Sequence, residues 1–347
     1  MAKLLKKKQF WGGIIGVALL VYCVKDIRSE ELRELVGRLD YFYFVLALTC
    51  SFAFVVLRGL RWQMMVSQQN IISMTRAVTL YAAGQVLNSV MPALTGQVGR
   101  LILFAKKEGL RKTFVFSTMV LEILFDSISL IVFVFLASIV FPFPDEYRFI
   151  GYIIAGFTLF GVLGLYLILH YQYGLEEIGR KRLRRRWPGA YITVKKFIRS
   201  FTKGIEMLRS SQHLFGSLTY SISAWSVHIL AIYFLFKAFG LDVPFTGAAV
   251  LMIINTIVLM VPITPGNAGT FEVAVSTSLA AFSVGRSDAV LFALALHLVD
   301  LLPIITLGVT FFHVEKLSVR QIRKEHVDDV IFERISEEGT YIEEEAV

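Results

Sequence analysis

Apolar residues in this chain come in long blocks, and charged residues gather in the gaps between them. Six blocks, near 9–25, 41–62, 113–140, 149–171, 214–238 and 289–313, approach or exceed the roughly 17–25 residues that a helix needs to cross a bilayer. Two further stretches, 76–105 and 246–284, are apolar but broken in the middle. The breaks share the pattern P-x-x-x-G-x-x-G, carried by Pro92, Gly96 and Gly99 in the first and by Pro262, Gly266 and Gly269 in the second. The arms beside each break are too short to cross, so each stretch predicts a re-entrant helical hairpin. A backbone break at membrane depth is tolerated only where protein or a water-filled cavity covers it. A paired interruption in two halves of a membrane protein points to a transporter's binding site.

Charge orients these elements. Lys3, Lys6, Lys7 and Lys8 place the N-terminus in the cytoplasm by the positive-inside rule. Residues 26–40 mix both signs and read as an external amphipathic segment. Arg58 and Arg61, beside Trp62, read as the cytoplasmic end of the second span. Arg76 before the first hairpin, and Lys106, Lys107, Arg111 and Lys112 after it, put both of its ends in the cytoplasm. Residues 172–213 form a basic cytoplasmic loop with its cations concentrated at 180–186. That run either attracts anionic lipid or acts only as a topology signal. By the same count the second hairpin opens outward, and the acidic tail 315–347 returns to the cytoplasm. The expected fold is an all-α polytopic membrane protein with six full spans, two oppositely oriented re-entrant hairpins and an inverted repeat. Residues 1–314 form the membrane domain. A composition of 56% hydrophobic residues and a mean hydropathy of +0.65 exclude a soluble globule. The N-terminus resembles a signal peptide but lacks a small-x-small cleavage site, so it reads as a retained span. Cys23 and Cys50 fall in apolar runs and read as packing residues.

The candidate chemistry is a short list. Arg100, Glu122, Asp126, His228, Glu272, His297 and Asp300 are ionisable residues inside apolar stretches, with Asn88, Gln97, Asn255 and Asn267 as polar companions. A charge at the bilayer centre costs roughly 2.5–3.5 kcal/mol on insertion scales, which makes each a functional candidate. Glu122 and Asp126 share one helix face, and His297 and Asp300 share another. An aspartate follows each break in the next span: Asp126 after Gly99, and Asp300 after Gly269. Helix arms beginning near Gly99 and Gly269 would present unpaired N–H groups to an anion. Arg100 adds a bidentate fork suited to phosphate. The alternative reading is structural: the carboxylates hold broken helix ends or pair with Arg100, and the glycines allow close helix packing. No nucleophile motif, metal-ligand spacing or dinucleotide fingerprint occurs, so no cofactor is expected. The basic run has no folded soluble domain beside it, so no nucleic-acid partner is expected either.

At these positions the sequence resembles the lysylphosphatidylglycerol synthase transmembrane family, which includes the membrane half of bacterial multiple peptide resistance factors. Asn88, Pro92, Gly96 and Arg100 match its first motif, and Glu122 and Asp126 match its second. Pro262, Thr264, Pro265, Gly266, Gly269 and Glu272 match its third and most specific motif. Leu94, Gln97 and Asn267 depart from it, standing where Arg, Glu and Gly are common. The family's aminoacyl transfer belongs to a separate soluble domain, so the resemblance implies the translocating half. It implies a flippase that moves a polar-headgroup, phosphate-bearing lipid between the leaflets of a bacterial or archaeal inner membrane. The lipid itself is the first partner; a lipid synthase, a glycosyltransferase or a second copy of the chain stay open. The competing functions are a membrane enzyme acting on a lipid-linked substrate and a scaffold for a lipid synthase.

Overall fold

The computed structural model of the chain describes residues 15–23, 37–67, 69–91, 94–140, 155–171, 188–259 and 264–316, with Lys25, Glu30, Glu34 and Tyr152 as isolated positions. Every regular element among them is a helix. In chain order these are α1 (15–23), α2 (Tyr41–Val66), α3 (Met74–Val90), α4 (Leu94–Glu108), α5 (Lys112–Ser138) and α6 (Ala155–Tyr171). There follow α7 (Pro188–Ile205), α8 (Ser211–Ala238), α9 (Phe245–Val258), α10 (Thr270–Ala280) and α11 (Arg286–Val314). Single 3-10 turns occupy Glu206–Arg209 and Pro265–Asn267.

Four of the described helices, α2, α5, α8 and α11, have 26, 27, 28 and 29 residues and are apolar enough to cross a membrane. Large apolar side chains such as Phe135, Phe160, Phe215 and Ile305 face outward from them and from α6. In water such a surface would be a liability; against lipid it is solvated. The chain is a multi-pass membrane protein. These four helices match the expected spans at 41–62, 113–140, 214–238 and 289–313. The spans expected at 9–25 and 149–171 are described only as the shorter α1 and α6. The external segment 26–40 (beyond its few described positions), the basic run 180–186 and the tail beyond Lys316 lie outside the described residues.

The second half of the loop expected at 172–213 carries α7, whose Phe201 and Ile205 are buried with Leu121 and Phe125 of α5.

α3 and α4 lie antiparallel in contact. A methyl group added at Gly84 would stand 2.7 Å from the Arg100 side chain, and one at Gly96 would stand 2.7 Å from the Asn88 Cα. The glycines therefore let the two backbones approach. α9 and α10 form the second pair, with Gly247 against Phe282. The two turns come together: a Cβ on Gly266 would lie 3.1 Å from the Ser89 carbonyl oxygen. α2 packs most extensively along α8, and α11 packs along α3, where Gly308 lies against the Ala82 carbonyl.

α11 carries Pro303 in its interior. Proline has no N–H, so the carbonyl four residues back, that of Val299, loses its helical donor. Ser51 of α2 replaces it, donating its hydroxyl to the Val299 oxygen at 2.9 Å in a buried contact. At the other end of α11, Glu315 accepts from Arg76 of α3 and Lys107 of α4, each at 2.7 Å. The last helix is thereby clasped to both arms of the first hairpin. The Lys107 ammonium, and then the Arg76 guanidinium, hold the Glu315 carboxyl below the usual glutamate range.

Ser51→Ala leaves a buried carbonyl unanswered and is expected to cost about 1–3 kcal/mol. Adding Pro303→Ala supplies the missing N–H and should recover most of that loss, as read by thermal unfolding of the single and double variants. Glu315 titrates below its unfolded value, so its stabilisation is complete above the ordinary glutamate pKa of about 4.3 and disappears as pH falls through its lowered value. The difference in melting temperature between wild type and Glu315→Gln should be constant above about pH 5 and close on acidification below about pH 4.

Candidate functional site

Two groups of buried ionisable residues lie between the hairpins and the long helices. In the first, Arg100 of α4 is 4% exposed and donates through Nη2 to both oxygens of Glu122 on α5, at 2.7 and 2.6 Å. One helical turn on, Asp126 accepts from Arg58 and from Arg61, the latter at 2.5 Å, both on α2. Ser221 and Trp225 of α8 complete its shell, donating at 3.2 and 3.1 Å. Asp126 therefore joins α2, α5 and α8. The Tyr81 ring lies between two guanidinium groups, with Arg100 at 4.9 Å and Arg58 at 6.0 Å from its centroid. From Tyr81 a polar ladder climbs α3: Gln85 donates to the Tyr81 hydroxyl at 2.7 Å, and Asn88 donates to Gln85 at 3.2 Å. It ends beside Ser89, where the second break arrives.

The second group is built on α11. His297 meets Glu272 of α10 at 2.6 Å, with the Phe271 ring stacked 4.4 Å away. Asp300 meets His228 of α8 at 3.2 Å, and His228 stacks on Phe54 at 4.7 Å. Phe54 also lies under Arg58, and Trp225 lies beside His228, so aromatic rings connect the two groups.

Glu272 serves two structures at once. Its Oε1 faces His297, and its Oε2 accepts the Gly269 N–H at 2.6 Å. Gly269 is the N-cap of α10 and Glu272 its third residue, the geometry by which a glutamate reaches back to satisfy an orphan donor. The turn before it is strained in the left-handed sense: Gly266, Asn267 and Gly269 have φ of 60°, 56° and 83°. A Cβ on Gly269 would also meet Leu19 and the Gly16 carbonyl of α1, at 2.5 and 2.7 Å. Thr264 is buried and faces Thr270, whose hydroxyl donates to the Asn267 carbonyl at 2.8 Å.

These contacts sort the sequence-derived residues. Arg100, Glu122, Asp126, Glu272, His297 and Asp300 all fall within the two groups. The two pairs that share helix faces do not pair internally; each member finds a partner on another helix. Asn88 and Gly96 lie together at the tip of the first hairpin. Gln97 is exposed on α4. The arm expected to begin near Gly99 begins at Leu94, and Gly99 is instead a buried mid-helix position against Met91 and Leu87. Gly269 does begin its arm. Pro265 and Gly266 occupy the 3-10 turn. Pro92 and Pro262 lie outside the described residues.

Arg58 and Arg61 lie within α2 rather than at its end. α2 runs on to Val66, and Arg61 is fully buried. The sequence carried a signal for this: Met64, Met65 and Val66 extend the apolar pattern beyond Trp62, and arginines three apart share the face that Asp126 needs. Tyr81, Gln85, Ser221 and Trp225 carried none.

Comparison with known proteins bears on this constellation. The lysylphosphatidylglycerol synthase TM region family matches residues 9–308. The chain belongs to this family. Similar proteins include the UPF0104 membrane protein PH1989 of Pyrococcus horikoshii, 25% identical over 298 residues, covering 80% of this chain and 88% of that one. A UPF0104 membrane protein of Methanothermobacter thermautotrophicus is 22% identical over 323 residues, covering 88% and 92%. No solved structure matches. Asn267, where the resemblance leads one to expect glycine, takes a left-handed position with φ of 56°. Asparagine is the residue after glycine best suited to it, so the turn survives the substitution.

Several buried polar atoms find no partner among the described residues: Nε of Arg58, Arg61 and Arg100, Nδ1 of His228, and Oδ1 of Asn88 and Asn255. Buried donors are normally satisfied, and three guanidinium Nε groups left over in one region suit an oxyanion or water. A cavity of about 420 Å³ lined by Gln69, Glu108, Arg111 and Lys203 lies away from both groups.

Asp126→Ala leaves the Arg58 and Arg61 guanidinium groups buried without their counter-charge and should cost about 3–5 kcal/mol. Trp225→Phe removes one donor of several and should cost only about 1 kcal/mol. Thermal denaturation in detergent, followed for both variants, checks the ranking.

Proposed function

We propose that the chain is a lipid translocator that carries a phosphate-bearing headgroup between leaflets, past the two breaks. The observation that supports this best is the placement of three arginines against two carboxylates, a surplus of one positive charge, on helices flanked by lipid-facing surfaces. A surplus cation inside a membrane bundle is costly unless an anion visits it. Arg58, Arg61 and Arg100 each keep an unused Nε donor for such an anion. In this reading the short arms α3–α4 and α9–α10 enter from opposite faces as re-entrant hairpins. Six spans and an inverted repeat complete the fold, with both termini in the cytoplasm. One half rocks against the other to expose the site alternately.

Transport fits these residues better than bond-making. Glu122 and Asp126 are held in ion pairs and Glu272 caps a turn, so none is placed as an unengaged general base. The lipid is then a modified phospholipid, a glycolipid or a polyprenyl-phosphate carrier.

Headgroup-labelled phosphatidylglycerol, an aminoacylated phospholipid and a polyprenyl phosphate should be offered in proteoliposomes. For at least one, leaflet exchange should depend on the protein and fall at least about tenfold in both Arg100→Ala and Glu272→Ala, a loss of ~1.4 kcal/mol or more in the barrier term. Chemical conversion of the lipid without exchange would transfer the assignment to a membrane enzyme.

A further inference from the structure

The two groups differ in how their charge is balanced. The first is fixed: guanidinium groups stay protonated at any physiological pH, and its surplus of one positive charge is permanent. The second sets two carboxylates, Glu272 and Asp300, against two histidines, His297 and His228. Its formal charge is −2 with both imidazoles neutral and zero with both protonated. The other charged or titratable groups facing it are few. Cys23 of α1 feels the Glu272 carboxylate and the Arg286 guanidinium of α11. On the side of the first group, Trp225 separates His228 from Asp126 and Arg58. Among the described residues, the two imidazoles are the members of the second group that can gain a positive charge to balance its carboxylates.

We infer that headgroup passage is coupled to protons through the His297–Glu272 and His228–Asp300 pairs. The inference rests on the translocator reading. An anionic headgroup leaving the arginines for the second break meets two uncompensated carboxylates if the imidazoles are neutral. It meets a neutral site if each imidazole has taken up a proton. Anion and proton therefore bind this half together and leave it together. In each cycle one N–H bond forms on each imidazole as an O–H bond of a hydronium ion breaks on one side, and each N–H bond breaks to return its proton to water on the other. No bond of the lipid changes. Glu272 links this titration to shape, because the same carboxylate holds His297 and the Gly269 N–H of the strained turn. His297 and Asp300 lie one helical turn apart on one face of α11, so the two pairs sense one another.

A coupled carrier accumulates its cargo, whereas a scrambler only equalises it. The test uses proteoliposomes of phosphatidylcholine with a few per cent headgroup-labelled phosphatidylglycerol or polyprenyl phosphate, and an imposed gradient of one pH unit. The expected result is a steady leaflet ratio skewed up to about tenfold for each coupled proton, following the direction of the gradient and collapsing when a protonophore is added. His228→Asn, which leaves Glu272 and the Gly269 turn untouched, should equalise the leaflets while exchange continues, and His297→Asn repeats the test at the other pair. Label that exchanges in wild type but settles at equal leaflets under every gradient overturns the coupling and leaves the translocator standing. No exchange under any gradient removes the translocator reading and the coupling with it.

Discussion

A bundle surrounded by lipid has no water to answer its donors, acceptors and charges, so each must be answered by another helix. That demand organises this protein more than any apolar contact does. Asp126 holds α2, α5 and α8 in one register because Arg58, Arg61, Ser221 and Trp225 converge on it. Glu122 and Arg100 tie the first hairpin to α5, and Glu272 ties the second break to α11. Apolar packing among the same helices is interchangeable in detail, since Leu, Ile and Phe meet lipid and each other with similar ease. A buried ion pair is not: sliding one helix by a turn would strand a charge, at a cost of several kcal/mol. The pairs thus set the alignment, and the three apolar clusters fill in around it.

The two breaks obey the same demand by different means. In the first, Gly96 lets α4 approach the α3 backbone at Asn88, and Gly84 makes room for the side chains of Arg100 and Phe104. In the second, left-handed positions at Gly266, Asn267 and Gly269 turn the chain, and a glutamate side chain satisfies the donor that the turn exposes. The breaks then abut at Ser89 and Gly266, so neither turn faces lipid alone.

Much of this was legible in the sequence. Long apolar blocks announce membrane helices directly, because length and hydropathy are one-dimensional properties, and α2, α5, α8 and α11 fall where they were expected. The P-x-x-x-G-x-x-G breaks were legible for the same reason. Partner choice was not. Glu122 with Asp126, and His297 with Asp300, were visible as pairs by spacing, yet each residue bonds across to another helix, which depends on how helices rotate against each other. The pairing of Arg58 and Arg61 with Asp126 was not legible, because arginine near the end of an apolar block fits a membrane boundary equally well. The helix running on to Val66 was the weaker clue. α7 was hidden by its own cations, whose stems leave one apolar face free to pack on α5.

Pro303 gives α11 a mechanical character. A helix missing one rung bends there more cheaply than anywhere else along its length. On one side of that fulcrum stand His297 and Asp300; on the other, Glu315 is gripped by both arms of the first hairpin. α11 is therefore a lever with its pivot braced by the Ser51 hydroxyl on the Val299 carbonyl. The contact gripped by the first hairpin and the two histidine–carboxylate contacts therefore lie on opposite sides of one bend point.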